Sequence, residues 1–190
     1  MATIIGFTGK LHSGKDLCTT HLIEQFDFQP GRFAGALKDM MMSFYRYVGE
    51  DEEVSNRKIH GDMKEKPCKY LGGRTPRHAM QTLGTDWGRE MIYGDIWVDA
   101  EMSHLKDGSR FVFSDVRFNN EAACIINAGG HVVEVVRPNY QPPEEALTHA
   151  SENGIDPKLI TTQLANIGTI DDLKDNLNLW LRRQEGLTPG

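Results

Sequence analysis

The β-branched run Ala2-Thr3-Ile4-Ile5-Gly6-Phe7-Thr8 passes directly into GKLHSGKD at residues 9 to 16, and then into the helix-like stretch LCTTHLIEQF. Strand, glycine-rich loop and helix in that order constrain the fold more than any other feature of the chain. The strand delivers the backbone to a turn whose glycines let N–H groups converge on an anion. The following helix aims its positive N-terminal end at the same point. Lys15, one residue past Gly14, then reaches the β- and γ-phosphates of a nucleotide. The G-x4-G-K spacing alone is weak in a chain with 19 glycines among 190 residues, so the order of elements carries the inference. The competing reading is a plain βα turn with a solvated lysine. Asp16 stands where such loops place the Ser or Thr that ligates magnesium, and Leu17 offers no hydroxyl either, which leaves the metal shell open.

A length of 190 residues with 39% hydrophobic content suits one α/β domain with an inserted lobe. The net charge of −6 and pI near 5.6 argue against a general nucleic-acid binder, which would carry a basic face. Charge is nevertheless uneven. Residues 57 to 77 hold Arg57, Lys58, Lys64, Lys66, Lys69, Arg74 and Arg77 against only Asp62 and Glu65, a cluster that suits a small anionic ligand or, lysine by lysine, a solvated loop. Cys18, Cys68 and Cys124 are odd in number and widely spaced, which supports neither a disulfide framework nor a zinc site. The seven histidines lack metal-ligand spacing. No run reaches the ~18 apolar residues needed to span a bilayer, and the first residues read as strand with no basic leader, so the chain reads as soluble and cytoplasmic, without membrane partners.

After the first helix, ending near 26 to 29, Pro30 and Gly31 read as a turn before the short run Arg32-Phe33-Ala34. Leu37, Met40, Met41, Phe44, Tyr45 and Val48 form an apolar stripe at helical spacing that needs no cofactor to explain it. Residues 49 to 75 are polar and irregular and read as an inserted or mobile region. Thr75 as N-cap and Pro76 at the first helical position open a helix with Met80, Leu83 and Trp87. RFVFSD at 110 to 115 reads as a strand ending in a carboxylate, followed by a helix closed by Gly129-Gly130, and HVVEVV at 131 to 136 as another strand. Residues 137 to 157 read as a lid-like loop, 160 to 165 as a final strand, and 170 to 184 as an amphipathic helix with a charged, solvated face. Strands alternating with helices imply a parallel sheet covered on both faces, with ligands at the strands' carboxyl ends.

Asp115 therefore falls on the sheet edge from which the glycine-rich loop emerges. A carboxylate there holds magnesium, directly or through water; the alternatives are a helix cap or an ion pair with Arg117. Arg117, two residues further on, is placed to set a forked cation on charge developing at a transferring phosphoryl group.

These residues match a pattern. GFTGKLHSGKD at 6 to 16, RFAGALKDMM at 32 to 41, LGGRTPRHAMQTLGTDWGRE at 71 to 90, DIWVDA at 95 to 100, FSDVRFNNEAACIINAGG at 113 to 130, VVRPN from 135 and HASE from 149 resemble the bacteriophage deoxynucleoside monophosphate kinases. These belong to the larger P-loop kinase group that also contains phosphomevalonate kinase and dephospho-CoA kinase. The polar residues of the block at 71 to 90 are the most distinctive, since no turn or helix requirement explains them. An aspartate after the loop lysine belongs to this family's version of the loop.

The resemblance implies an α/β three-layer P-loop kinase fold: a mainly parallel five-stranded sheet flanked by helices, an inserted helical acceptor-binding region at about 36–106, and a lid-like segment at about 137–157. It implies transfer of the γ-phosphoryl of ATP, with Mg²⁺, to a deoxynucleoside 5′-monophosphate for DNA synthesis. Gly9, Ser13, Gly14, Lys15 and Asp16 are then assigned to the ATP phosphates, Arg137 to covering ATP, and Asp16 and Asp115 to the metal. Lys15, Asp16, Asp115 and Arg117 become the catalytic set. Lys10, Lys38, Arg74, Arg77, Gln81 and Thr85 are assigned to the acceptor, with Gln81 offering both donor and acceptor to a base edge. Trp97 is either a platform for the acceptor base or a core residue. Glu121 is assigned to the acceptor set as well, where it either orients Arg117 or merely complements a helix dipole. A homodimer is a family-based guess. Two other readings stand beside the kinase: another small-molecule P-loop kinase, which the QTLGT block disfavours, and a regulatory ATP-binding module, which would need no acceptor block.

Overall fold

Thr3–Thr8 forms β1, the middle strand of the sheet in the computed structural model, which describes residues 2–138, 140 and 154–184. The chain then runs through α1 (Lys15–Phe26) and β2 (Gln29–Gly31). A helical excursion comes next, with α2 (Gly35–Tyr47), α3 (Glu52–Ile59), α4 (Pro76–Thr82) and α5 (Ile96–Met102). The chain returns to the sheet as β3 (Arg110–Phe113) and continues through α6 (Asn119–Asn127), β4 (His131–Val136), β5 (Thr162–Ala165) and α7 (Ile170–Arg183). The sheet order is β2-β3-β1-β4-β5 and every pair is parallel. Ile5 lies opposite Val112 on β3 and His131 on β4, and Val136 lies opposite Ala165 on β5. Because all strands run the same way, the loops after β1, β3, β4 and β5 leave from one edge. The order reverses beside β1, where open α/β sheets hold ligands.

Alternation along β1 sorts its side chains between two faces. Ile5 and Phe7 pack with Val112, Val133 and Val135 against Cys18, Leu22 and Phe26 of α1 and Leu173, Leu177 and Leu181 of α7. On the other face Gly6 lets Ile125 of α6 and Val116 come close to the strand backbone. A strand covered on both sides is why TIIGFT reads as an almost unbroken apolar run rather than an alternating one. Each fully buried Leu, Ile or Phe side chain contributes about 1.5–3 kcal/mol, so these layers fix the strand ends that carry the loops.

The chain divides into two compact units: residues 1–32 with 104–190, which contain the sheet, and residues 33–103, which are helical. In the second unit Met41, Tyr45, Ile59 and Cys68 form the buried centre, with Phe44, Met80 and Leu83 packed against them. Between α4 and α5 the chain winds as a π-helix over Leu83–Ile92.

The structure corrects three expectations. Pro30 and Gly31 are not a turn but most of β2, an edge strand, where a missing N–H costs no ladder bond. Residues 49 to 75 are not irregular throughout: Asp51 accepts from the Val54 N–H at 3.1 Å and starts α3. The basic cluster at 57 to 77 is largely paired within itself and its surroundings. Arg57 bonds Asp62 through two nitrogens at 2.9 Å, Lys66 lies 3.7 Å from Asp62, Lys58 pairs with Glu50, and Arg77 with Glu65. The terminal helix, α7, opens on a polar cap in which Thr169 and Asp172 bond reciprocally. The lid-like segment falls mostly outside the described residues, as does HASE at 149 to 152.

Candidate active site

The loop after β1 is shaped by two glycines. Gly9 has φ +128°, and a Cβ there would lie 2.5 Å from the Val135 carbonyl oxygen; Gly14 has φ +114°. His12 between them also adopts a left-handed φ of 57°, a region that histidine visits more often than most residues with a side chain. Gly14 is the N-cap of α1 and provides no side-chain cap, so the first N–H groups of the helix are left for an anion. The Lys15 ammonium folds back over the loop, donating to the carbonyls of Gly9 at 2.7 Å and Lys10 at 2.8 Å. Ser13 is 1% exposed, and its hydroxyl has no hydrogen-bond partner among the described residues. A buried hydroxyl without a partner, beside uncapped N–H groups and an ammonium, is a donor set whose chemistry suits anionic oxygens.

Asp115 follows β3 by two residues, is half-buried, and has one carboxylate oxygen out of contact with solvent. The next residue ties this loop to the central strand, the Val116 N–H donating to the Phe7 carbonyl at 3.2 Å. Arg117 is exposed at the same edge. Glu121 is 2% exposed and its carboxylate accepts the backbone N–H groups of Arg117 at 2.8 Å and Phe118 at 3.1 Å. It thus fixes the backbone from which the arginine projects. That corrects its assignment to the acceptor: a carboxylate enclosed by its own loop is not a surface for substrate.

Arg137 follows β4 and reaches the loop tip, its guanidinium 3.5 Å from the His12 carbonyl and 5.6 Å from the centre of the Tyr140 ring. Sequence reasoning missed Asn166. Directly after β5, its side-chain amide donates to the Ser13 carbonyl at 2.7 Å, while its backbone N–H donates to the Val136 carbonyl at 2.7 Å. It lashes the glycine-rich loop to the far strand. The available signal was an amide residue one step past a strand, at the edge where ligands bind.

The acceptor assignments other than Lys10 and Glu121 lie in the second unit. Lys38 is on the first turn of α2, half-buried. Arg74 and Thr75 line an open cavity of about 440 Å³ with Gly72, Gly73 and His78. Thr75 caps α4, accepting the His78 N–H at 3.1 Å, and Gln81 is half-buried near the end of that helix. Arg77 is exposed, with its guanidinium on Glu65. Thr85 lies on the π-helix. Trp97 is the clear departure: it is 2% exposed, and its indole N–H donates to the Gly84 carbonyl at 2.7 Å. It packs the unit and is no platform for a base.

A family model of deoxynucleotide monophosphate kinases matches residues 73–177, more than half of the chain. The chain belongs to the deoxynucleotide monophosphate kinase family. The match takes in Arg74, Arg77, Gln81, Thr85, Asp115, Arg117 and Asn166, while the glycine-rich loop stands before it. Among relatives in that family, a putative deoxynucleotide monophosphate kinase of Acanthamoeba polyphaga mimivirus is 28% identical over 165 residues, covering 78% of this chain and 80% of its own. The deoxynucleoside-5′-monophosphate kinase of Escherichia phage T5 is 35% identical over 125 residues, 63% of this chain, and the match spans half the length of that enzyme. A dephospho-CoA kinase from Campylobacter jejuni superposes with a TM-score of 0.50 over 96% of this chain and 97% of its own at 11% identity, which carries the α/β P-loop fold alone.

Within this family frame the metal question has a physical answer in the donor set. No group of three or more His, Cys, Asp or Glu forms a ready metal site among the described residues, and no helix there is long and apolar enough to cross a membrane. Asp16, exposed on the first turn of α1, and Asp115 are hard oxygen donors, too few for a protein cage. Magnesium suits such a set, because it keeps waters and takes its remaining ligands from phosphates. Cys18, three residues past Lys15, plays no part: burial pushes its thiol up to about 12.

Proposed function

We propose that this protein is a cytoplasmic deoxynucleoside monophosphate kinase that transfers the γ-phosphoryl of ATP to a deoxynucleoside 5′-monophosphate, yielding ADP and the diphosphate. One observation carries the reading. The chain joins a phosphate loop, with a buried and unpartnered Ser13 hydroxyl and the Lys15 ammonium, to the family block whose polar residues a pure ATP sensor would not need.

An oxygen of the acceptor phosphate attacks the γ-phosphorus, the bond to the bridging oxygen breaks, and its electrons leave with ADP. The acceptor oxygen is already anionic at neutral pH, so the chemistry asks for positioning, charge neutralisation and exclusion of water rather than a covalent nucleophile. Gly9, Ser13, Gly14 and Lys15 hold the donor phosphates. Asp16 and Asp115 would hold Mg²⁺, which when bound neutralises phosphate oxygens. Arg117, on a backbone fixed by Glu121, stabilises charge on the transferring group. Arg137 closes over the donor. Lys10, Lys38, Arg74, Arg77, Gln81 and Thr85 hold the acceptor, Arg77 exchanging Glu65 for phosphate.

A coupled assay of ADP formation, with ATP, Mg²⁺ and each deoxynucleoside monophosphate in turn, tests the reading. Turnover with at least one monophosphate, abolished by chelation of the metal, is the expected result. ATP binding without turnover on any of them would overturn it.

A further inference from the structure

π-Helices are rare and occur mostly as single turns inside α-helices, frequently at functional sites. A run of ten residues, Leu83–Ile92, therefore needs something that holds it. Three contacts do so, all within the second unit. The Gly88 carbonyl accepts the N–H of Tyr93, five residues on, at 2.9 Å. The Gly84 carbonyl accepts the Trp97 indole N–H at 2.7 Å and a guanidinium N–H of Arg89 at 3.0 Å. A Cβ on Gly88 would lie 2.6–2.7 Å from indole atoms Nε1, Cε2 and Cζ2, so the ring fills the space the glycine leaves. Trp87 stands 6.1 Å from Trp97, ring centre to ring centre.

Thr85 lies between the two glycines. If the segment relaxed to the α register, one residue of slack would rotate the downstream residues by about 100°. Arg89 would then leave its present place, and the Gly84 backbone that leads directly into Thr85 would lose the geometry in which its carbonyl meets both Trp97 and Arg89. The Gly84–Trp97 hydrogen bond and the Gly88 notch are what oppose that relaxation.

We infer that Trp97 is a positioning residue for the acceptor nucleotide: seated on Gly88 and bonded to Gly84, it holds the π-helix in register and so orients Thr85 for the monophosphate. This rests on the acceptor role proposed for Thr85. Trp97 touches no substrate and acts through the helix.

The test measures separate KM values for ATP and for the monophosphate in wild type, Trp97→Phe, Gly88→Ala and the double variant. Phe lacks the indole N–H and the outer carbons of the fused ring, Cζ2 among them. Trp97→Phe raises the monophosphate KM about fivefold to tenfold, the size of one lost buried hydrogen bond, and leaves the ATP KM and kcat within about twofold. Gly88→Ala, whose methyl collides with the ring, raises the monophosphate KM further. The double variant falls back from Gly88→Ala toward the level of Trp97→Phe alone, because the smaller ring leaves the methyl more room. An unchanged monophosphate KM in Trp97→Phe, or a rise matched by the ATP KM, overturns the inference. If Gly88→Ala does not fold by circular dichroism, Trp97→Phe decides alone. Wild type inactive on every monophosphate would instead remove the proposed function, and the inference with it.

Discussion

Lys15 sits on the loop's own carbonyls rather than in a hydrophobic contact, so its removal should spare the fold and damage the chemistry. Lys15→Ala is predicted to lower kcat/KM by about 10³, at the upper end of what one lost charge-stabilising donor costs, with an unchanged circular dichroism spectrum. Near-normal turnover in the folded variant would refute the role. His131 carries a different prediction. Burial holds its imidazole below the usual value of 6.5, and the ring packs edge-on against Trp180 at 5.4 Å. The folded state therefore keeps the neutral form while the unfolded chain takes up a proton. The stability of the neutral form is complete above pH 6.5 and lost as pH falls through that value toward the folded pKa. Thermal denaturation between about pH 7.5 and about pH 5.5 should show a loss in wild type that is smaller in His131→Phe; equal losses would contradict it. At this scale the sequence was a partial guide. Lys15 and Arg117 could be placed from local order, but whether Trp97 faced solvent or core, and that Glu121 was spent on its own loop, depended on packing that spacing does not encode.

Elements were legible where they are self-sufficient. The strand-loop-helix at the start, the Thr75-Pro76 helix entry and the Gly129-Gly130 stop each rest on neighbours in sequence. β2 was not, because three residues containing a proline become a strand only by pairing with β3. The π-helix was not, because an apolar stripe barely distinguishes two windings that differ by one residue in their hydrogen bonds. Asn166 belongs to this scale too, since it joins the end of β5 to the phosphate loop across 153 residues of chain. Asn166→Ala removes that tie. It is predicted to raise the ATP KM about tenfold while the monophosphate KM stays within about twofold, read from initial rates with each substrate varied. A rise confined to the monophosphate would show that the tie does not serve the donor loop.

For the molecule as a whole, the parallel sheet followed from alternating strands and helices, and the shared edge from which its strand-end loops leave followed from the sheet. The acceptor chemistry had a weaker physical signal: the residues from Leu71 to Glu90 were marked by polar side chains that packing does not demand, and their meaning came from resemblance to a family that the chain proves to belong to. The central claim is that one chain moves a phosphoryl group between two nucleotides, rather than releasing it to water. ATP carrying ¹⁸O on its γ-phosphate nonbridging oxygens, incubated with enzyme, Mg²⁺ and a deoxynucleoside monophosphate, distinguishes the two by mass spectrometry of the products. The account predicts the label in the terminal phosphate of the deoxynucleoside diphosphate; label appearing only in inorganic phosphate would contradict it.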